Sequence, residues 1–365
     1  MVRGLSTART VHPRSVRPFA PHTPVMICVV LVFCLGFWSS SSLAAGPAGR
    51  GVCQRYASTT GNDHGPGSLG RPFRTPQRLV ASLHAGRTGC LFGGVYSGGG
   101  RLTFTHGGAP GAPLTLRSVP GQSARLALGG IVRVAPGATD ITLRDLDIDG
   151  TANADVTVWI QGDRTRLEHD LIGNGNAGMS CVIIGDGVSV TIARNRFHQC
   201  GTPAHGNQDH AIYAADTHDS HITENVFWGT TGWAVHLYPD AQRTLVMRNV
   251  IDDNGRGIVV GGDDSTASSD NLITQNVISN ALDEYLVQSY WAGPVGTGNR
   301  VEHNCLYRGA LGTIIAPRLG FEATGNVVAA PRYEDAAAHD YRMFPGSRCL
   351  SLVGGDIATR ARSGT

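Results

Sequence analysis

The chain contains no lysine; all 30 of its basic residues are arginine. Any chemistry that needs a lysine amine as base is therefore excluded. Charge of either sign is scarce, with Asp, Glu, Lys and Arg together at 16%. The formal net charge of +2 rests on Arg3, Arg9, Arg14 and Arg17, which precede residue 46 with no acid among them. Without that segment 26 arginines face 28 acids, a balance of −2. A basic surface for nucleic acid is not available. The eight cysteines form no CxxC pair, which argues against a thiolate metal site. The apolar run from Val25 to Trp38 has 14 residues, too few for a comfortable membrane span.

That run suits a secretion signal instead. Four arginines precede it, and Ser42-Leu43-Ala44-Ala45 follows with the small residues a signal peptidase accepts. Residues 1–45 are read as a signal peptide, 46–52 as a linker, and the mature protein as secreted, monomeric and without a membrane attachment. Export permits disulfides. Cys28 and Cys34 leave with the signal, and six cysteines remain, which allow 15 connectivities. Position favours Cys53–Cys90 near the start and Cys305–Cys349 near the end; Cys181–Cys200 follows by elimination.

The most informative stretch, Ile141 to Val328, repeats. Eight segments align on Leu146, Asp170, Asn195, Asn225, Asn249, Asn276, Asn304 and Asn326, spaced 24, 25, 30, 24, 27, 28 and 22 residues apart. Three residues earlier stand Leu143, Leu167, Ile192, Ile222, Val246, Ile273, Val301 and Ala323. Two residues later stand Ile148, Ile172, Phe197, Phe227, Ile251, Ile278, Leu306 and Val328. A period of this length marks a solenoid, and units this short and rich in Val, Ile, Thr and Asn make strands rather than helices. Each unit is one coil of a parallel β-helix. An Asn at the same bend of successive coils turns inward to satisfy amides that the bend removes from the ladder. Thr75 to Leu83 reads as a short helix, with Thr75 as N-cap, Pro76 in the first turn and Leu79, Val80 and Leu83 on one face.

These segments resemble the right-handed parallel β-helix repeat family of the pectin lyase-like superfamily, over roughly Cys53 to the C-terminus. The opening segment YASTTGNDHGPGSLGRPFRTPQ is similar to the family's YxSxxGxDxxPGxxxxPFxTxQ. The resemblance implies an all-β solenoid with a short N-terminal capping helix (cap and first strands 53–110, β-helix 111–330). An irregular C-terminal cap and tail over residues 331–365 would strap the last coil. The superfamily holds lyases, hydrolases, epimerases and proteins of no known chemistry.

Candidate chemistry concentrates on two adjacent coils. Six of 14 histidines (His198, His205, His210, His218, His221 and His236) lie between residues 198 and 236. A second strand per coil aligns Ile212-Tyr213-Ala214, Val235-His236-Leu237, Ile258-Val259-Val260, Leu286-Val287-Gln288 and Ile314-Ile315-Ala316. Its middle members point outward. Tyr213 and His236 then share a column, with Ala211, Ala234 and Gly257 as an open floor beside them. Tyr213, His236, His210 and Arg256 are the expected catalytic residues, and Asp209, Trp233, Tyr238 and Glu284 the expected substrate contacts. A zinc site from His205, His210 and His236 lacks ligand spacing. Asp263 and Asp264 are either a glycosidase acid–base pair or part of a surface loop that takes a calcium ion. The Gly-His-Gly and Arg-Ile-Lys motifs of polygalacturonases, and the Asp-rich calcium cradle of many pectate lyases, are absent. The leading expectation is binding of an acidic, uronic acid polysaccharide and its cleavage by β-elimination, with Arg256 meeting a carboxylate. A non-catalytic glycan-binding surface protein is the alternative, and a glycoside hydrolase a third.

Overall fold

The computed structural model describes residues 52–353 apart from 154, 204–207 and 316–319. The segment expected to be a signal peptide, His205, Ala316 and the tail beyond 353 lie outside the described residues. Among the described residues no helix is long and apolar enough to cross a membrane.

Each coil contributes three short strands, as in His221–Thr223, Val226–Trp228 and Trp233–Gln242, followed by Leu245–Met247, Val250–Asp252 and Arg256–Gly262. Every strand pairs in parallel with its counterpart one coil away, which builds sheets of 11 and 17 strands among the described residues. The chain is the expected parallel β-helix, with the flanking columns in its core. Leu143, Leu167, Ile192, Ile222, Val246, Ile273 and Val301 are all buried, as are Ile148, Ile172, Phe197, Phe227, Ile251, Ile278 and Leu306. Phe197 and Phe227 stack at 4.8 Å between ring centres, one rung apart.

The bend that closes each coil has a specific construction. The residue before each Asn adopts a left-handed conformation: Arg194, Glu224, Arg248, Gln275 and His303 have φ between 56° and 61°. That conformation is unfavourable for a residue with a Cβ, and the following Asn offsets it. Asn249 Oδ1 accepts from the Asn225 backbone amide at 2.9 Å and from Asn225 Nδ2 at 3.0 Å. Asn249 Nδ2 donates to Ile222 O and to Asn276 Oδ1, both at 2.9 Å. The pattern runs unbroken from Asn195 to Asn326. A second ladder stands at another bend, where Asn271 donates to Asn299 Oδ1 and to Ala241 O.

The N-terminal helix is Pro76–Ala81, with the Thr75 side chain accepting from Arg78 N and with Pro76, Leu79 and Val80 buried. All three expected disulfides, Cys53–Cys90, Cys181–Cys200 and Cys305–Cys349, are formed.

Three local expectations are corrected. The C-terminal segment, as far as its described residues run, leaves Val328 of the last coil 64% exposed. It folds back as the hairpin Tyr333–Asp335 and Asp340–Met343. There Tyr341 and Met343 pack with Val226, Val250, Val277 and Cys305. The residue after each Asn points outward, and this apolar column needed a cover. Second, the strand after Asp283 is shifted by one residue: Val287 pairs with Ile258 and Gln288 with Val259. Leu286 and Val287 are both apolar and buried, so the pattern alone fits either register. Third, Ala211 and Ala234 are not an open floor but belong to the core at 0% exposure. A Cβ at Gly257 would stand 1.9 Å from Leu286 O, so that position is closed by backbone.

Candidate functional site

The third strand of each coil sets an outward column in register: Arg133, Trp159, Ile183, Tyr213, His236, Val259, Gln288 and Ile315. Successive members are one rung apart, about 4.8 Å. Apolar partners Val182, Ile212, Val235, Ile258 and Val287 anchor the same strands from inside. The column is therefore held by the core and not by a loop.

His236 sits at the centre of an aromatic cluster. Its ring lies 5.2 Å from Tyr213, 4.5 Å from His210, 5.1 Å from Tyr238 and 6.3 Å from Trp233. His236 Nδ1 and His210 Nε2 are 3.2 Å apart, a hydrogen bond between imidazoles. His210 is buried, and its Nδ1 has no hydrogen-bond partner among the described residues. Burial, reinforced by the charge of Arg256, pushes the His210 pKa from 6.5 down to about 3. His236 is driven well below its ordinary value by burial, then by His210 and Arg256. Both rings are neutral at physiological pH. Burial, with Tyr238, Asp216 and Asp263 nearby, lifts the Tyr213 phenol to about 12, so it keeps its proton.

These residues line a groove of about 490 Å³ with Met179, Ser180, Ile183, Gln208, Tyr238, Val259, Gln288 and Tyr290. Tyr290, 58% exposed, forms its outer wall. Gly261 lies between the walls: a Cβ there would meet Tyr290 O at 2.6 Å and the Tyr238 ring at 3.1 Å. Of the groove residues, Ile183, Gln288 and Tyr290 were missed by sequence reasoning. The one-residue shift after Asp283 hid Gln288, and Ile183 reads as an ordinary strand residue.

Trp233 also lines the groove, whereas Arg256, Glu284 and Asp209 stand elsewhere. Trp233 is 2% exposed and lies beneath the Arg256 guanidinium at 5.4 Å. Arg256 reaches Glu284 at 3.9 Å, so this pair braces the start of the strand behind Trp233 and does not line the groove. Asp209 is buried; its Oδ2 accepts from Thr202 N at 3.0 Å and Thr202 Oγ1 at 3.3 Å, which ties down the loop after Cys200. That loop leaves from the Cys181–Cys200 disulfide.

Carboxylates mark one rim. Asp216 pairs in register with Asp240, and Asp186 and Asp263 lie near enough to act on Asp216. Desolvation, then these three acids, raise the Asp216 pKa. Asp263 Oδ1 accepts from the amides and hydroxyls of Ser265 and Thr266, which hold its carboxyl near 2. That oxygen is committed to its own turn. Among the described residues no three His, Cys, Asp or Glu side chains converge to hold a metal ion.

A family model described as a right handed beta helix region matches residues 130–310. No curated protein matches the sequence. Among solved structures, the pectate lyase Pel9A is similar with a TM-score of 0.59 at 12% identity, covering 82% of this chain and 91% of that one. A rhamnogalacturonan lyase is similar with a TM-score of 0.57 at 14% identity, covering 84% and 98%. A mutant tailspike protein of an E. coli bacteriophage, in complex with pentasaccharide, gives 0.51 at 12% identity, covering 68% and 51%.

Proposed function

Because this chain is a right-handed parallel β-helix repeat protein with a pectin lyase-like fold, we propose that it binds a polysaccharide in the groove around Tyr213 and His236. The observation that carries this reading is the wall of half-exposed aromatic rings, Tyr213, Tyr238 and Tyr290, on a rigid face. Sugar rings present C–H faces that pack on aromatic faces, while Gln288 and the tyrosine hydroxyls supply hydrogen bonds. The names of the similar structures, two lyases and a protein bound to a pentasaccharide, support it. Three disulfides support an extracellular setting. The test is calorimetry with neutral and uronic acid polymers, using Tyr290→Ala as control. A wild type that binds none of them overturns the reading.

A second reading, cleavage by β-elimination, is favoured by the neutral imidazole pair beside a protonated phenol. His236 would take the proton α to the carboxylate of a uronic acid residue. The electrons of that C–H bond form the new double bond as the glycosidic C–O bond breaks, and Tyr213 gives its proton to the leaving oxygen. His236 then returns a proton to Tyr213. A calcium ion held near Asp263 and Asp264 would supply charge to the carboxylate, and no step here passes through it. Unsaturated products, read by ultraviolet absorbance, test this step. Binding without such products leaves the protein a glycan-binding module.

A further inference from the structure

The outward column does not end at the groove. Two rungs before Tyr213, about 10 Å away, stands Trp159, and one rung before that stands Arg133. Trp159 is 36% exposed, high for a tryptophan on a strand whose neighbours are core. Its indole extends over the next coil, where a Cβ on Gly185 would lie 3.1 Å from Trp159 Nε1. The Arg133 guanidinium lies 5.5 Å from the ring centre. Arg133 Nε and Nη2 both donate to Gln161 Oε1, at 2.9 and 2.6 Å. A cleft of about 250 Å³ opens here, lined by Arg101, Arg133, Asn153, Asp155 and Trp159 among others.

Arginines along the helix differ in their partners, and Arg133, like Arg248, is held by a glutamine amide. Arg117, Arg164, Arg194 and Arg243 each hold a carboxylate within 3 Å, at Asp145, Asp140, Glu224 and Asp219. Arg133 is fixed by a neutral amide, and Asp155 forms no ion pair with it or with Arg101 among the described residues. The guanidinium is oriented, forms no ion pair among the described residues, and borders an exposed indole. An indole face for a sugar ring beside a planar cation for a carboxylate is the chemistry of an acidic sugar site.

We infer that Trp159 and Arg133 form a second sugar-binding position, which takes a uronic acid residue of the same glycan that fills the groove. The inference rests on the glycan reading above and gives that glycan a direction, along the helix axis. It also assigns the recognition of acidity, which the groove lining does not supply: no arginine lines it and acids border it.

The test is calorimetry with a length series of oligogalacturonates and a matching neutral series. Affinity of the wild type for the acidic series should rise once the oligomer spans from Tyr213 to Arg133. Arg133→Gln should remove about tenfold of that gain for long acidic oligomers and leave neutral ones unchanged. Trp159→Ala should weaken long oligomers of both series by a similar factor. Both side chains lie at the surface, and an unchanged thermal midpoint reports intact folding. If both variants bind the long acidic oligomers like the wild type while Tyr290→Ala loses them, the inference falls and the groove reading stands. If the wild type binds neither series, both fall.

Discussion

His236 Nδ1 and His210 Nε2, 3.2 Å apart on adjacent coils, share one hydrogen bond that a second proton would break. One imidazole donates and the other accepts, so the bond needs one of the two facing nitrogens to be without a proton. A charged ring here would be buried beside Arg256, which is why both pKa values fall.

Acid should therefore destabilise this protein through the pair. The unfolded His210 titrates near 6.5 and the folded one near 3. Its contribution is fully present above 6.5 and is lost as pH falls towards 3, because only the unfolded chain binds the proton in that window. The expected slope is about 1.4 kcal/mol per pH unit for that residue. His210→Phe should flatten the dependence of the denaturation midpoint on pH across that range. A slope identical to the wild type would show that His210 titrates alike in the folded and unfolded chain.

Asp170 occupies the Asn position of the first ladder and shows what the amide does there. Its Oδ1 accepts from Leu146 N at 2.9 Å, and its own amide donates to Asn195 Oδ1 at 2.9 Å. Its Oδ2 is buried without a hydrogen-bond partner among the described residues, and burial raises its pKa well above 3.8. The sign follows: its contribution is present below 3.8 and is lost as pH rises. Asp170→Asn should supply the Nδ2 donor that Asn195, Asn225 and Asn249 use, and raise stability at neutral pH by about 1–3 kcal/mol. A lower thermal midpoint at neutral pH would count against this account.

The converse change is Asn249→Ala. It removes the acceptor of the Asn225 amide and the donor to Ile222 O, both inside the bend. The loss should be on the order of 1–3 kcal/mol, seen as a lower denaturant midpoint. An unaltered midpoint would mean that the ladder accompanies the bends without stabilising them.

The ladder was legible in the sequence because one polar residue between two apolar ones recurs wherever a coil bends. The disulfides were legible from chain position. The third strand was harder. Between Asn276 and Val287 the chain carries two apolar neighbours, Leu286 and Val287, and only pairing with Ile258 decides which faces inward. Trp159 and Arg133 were invisible as a pair, since they are 26 residues apart and meet only through coil stacking. Asp209 looked like a site residue by proximity in sequence to His210, and Arg256 because it falls at the same bend as Trp233 one coil later. Their side chains instead hold Thr202 and Glu284. The C-terminal hairpin was misplaced because its target, Val226, Val250 and Val277, is a column that only the stacked fold assembles.

The acid rim gives the last prediction. Asp216 and Asp240 are register partners on adjacent coils, and neither forms a salt bridge among the described residues. Desolvation, and after it the like charges of Asp186, Asp240 and Asp263, raise the Asp216 pKa. These charges would also oppose a polyanion lying in the groove beside them. At an effective dielectric near that of a protein surface, one unit charge a few ångströms from another is worth about 1–4 kcal/mol, before salt screening reduces it. Asp216→Asn should therefore strengthen binding of a uronic acid polymer several-fold at low ionic strength. The gain should shrink in high salt, and neutral oligomers should bind as before. It should also depend on pH, vanishing below the Asp216 pKa, where the wild-type carboxyl is already neutral. If Asp216→Asn instead weakens binding of both polymers alike, the carboxylate contacts sugar hydroxyls, and the rim is part of the binding surface.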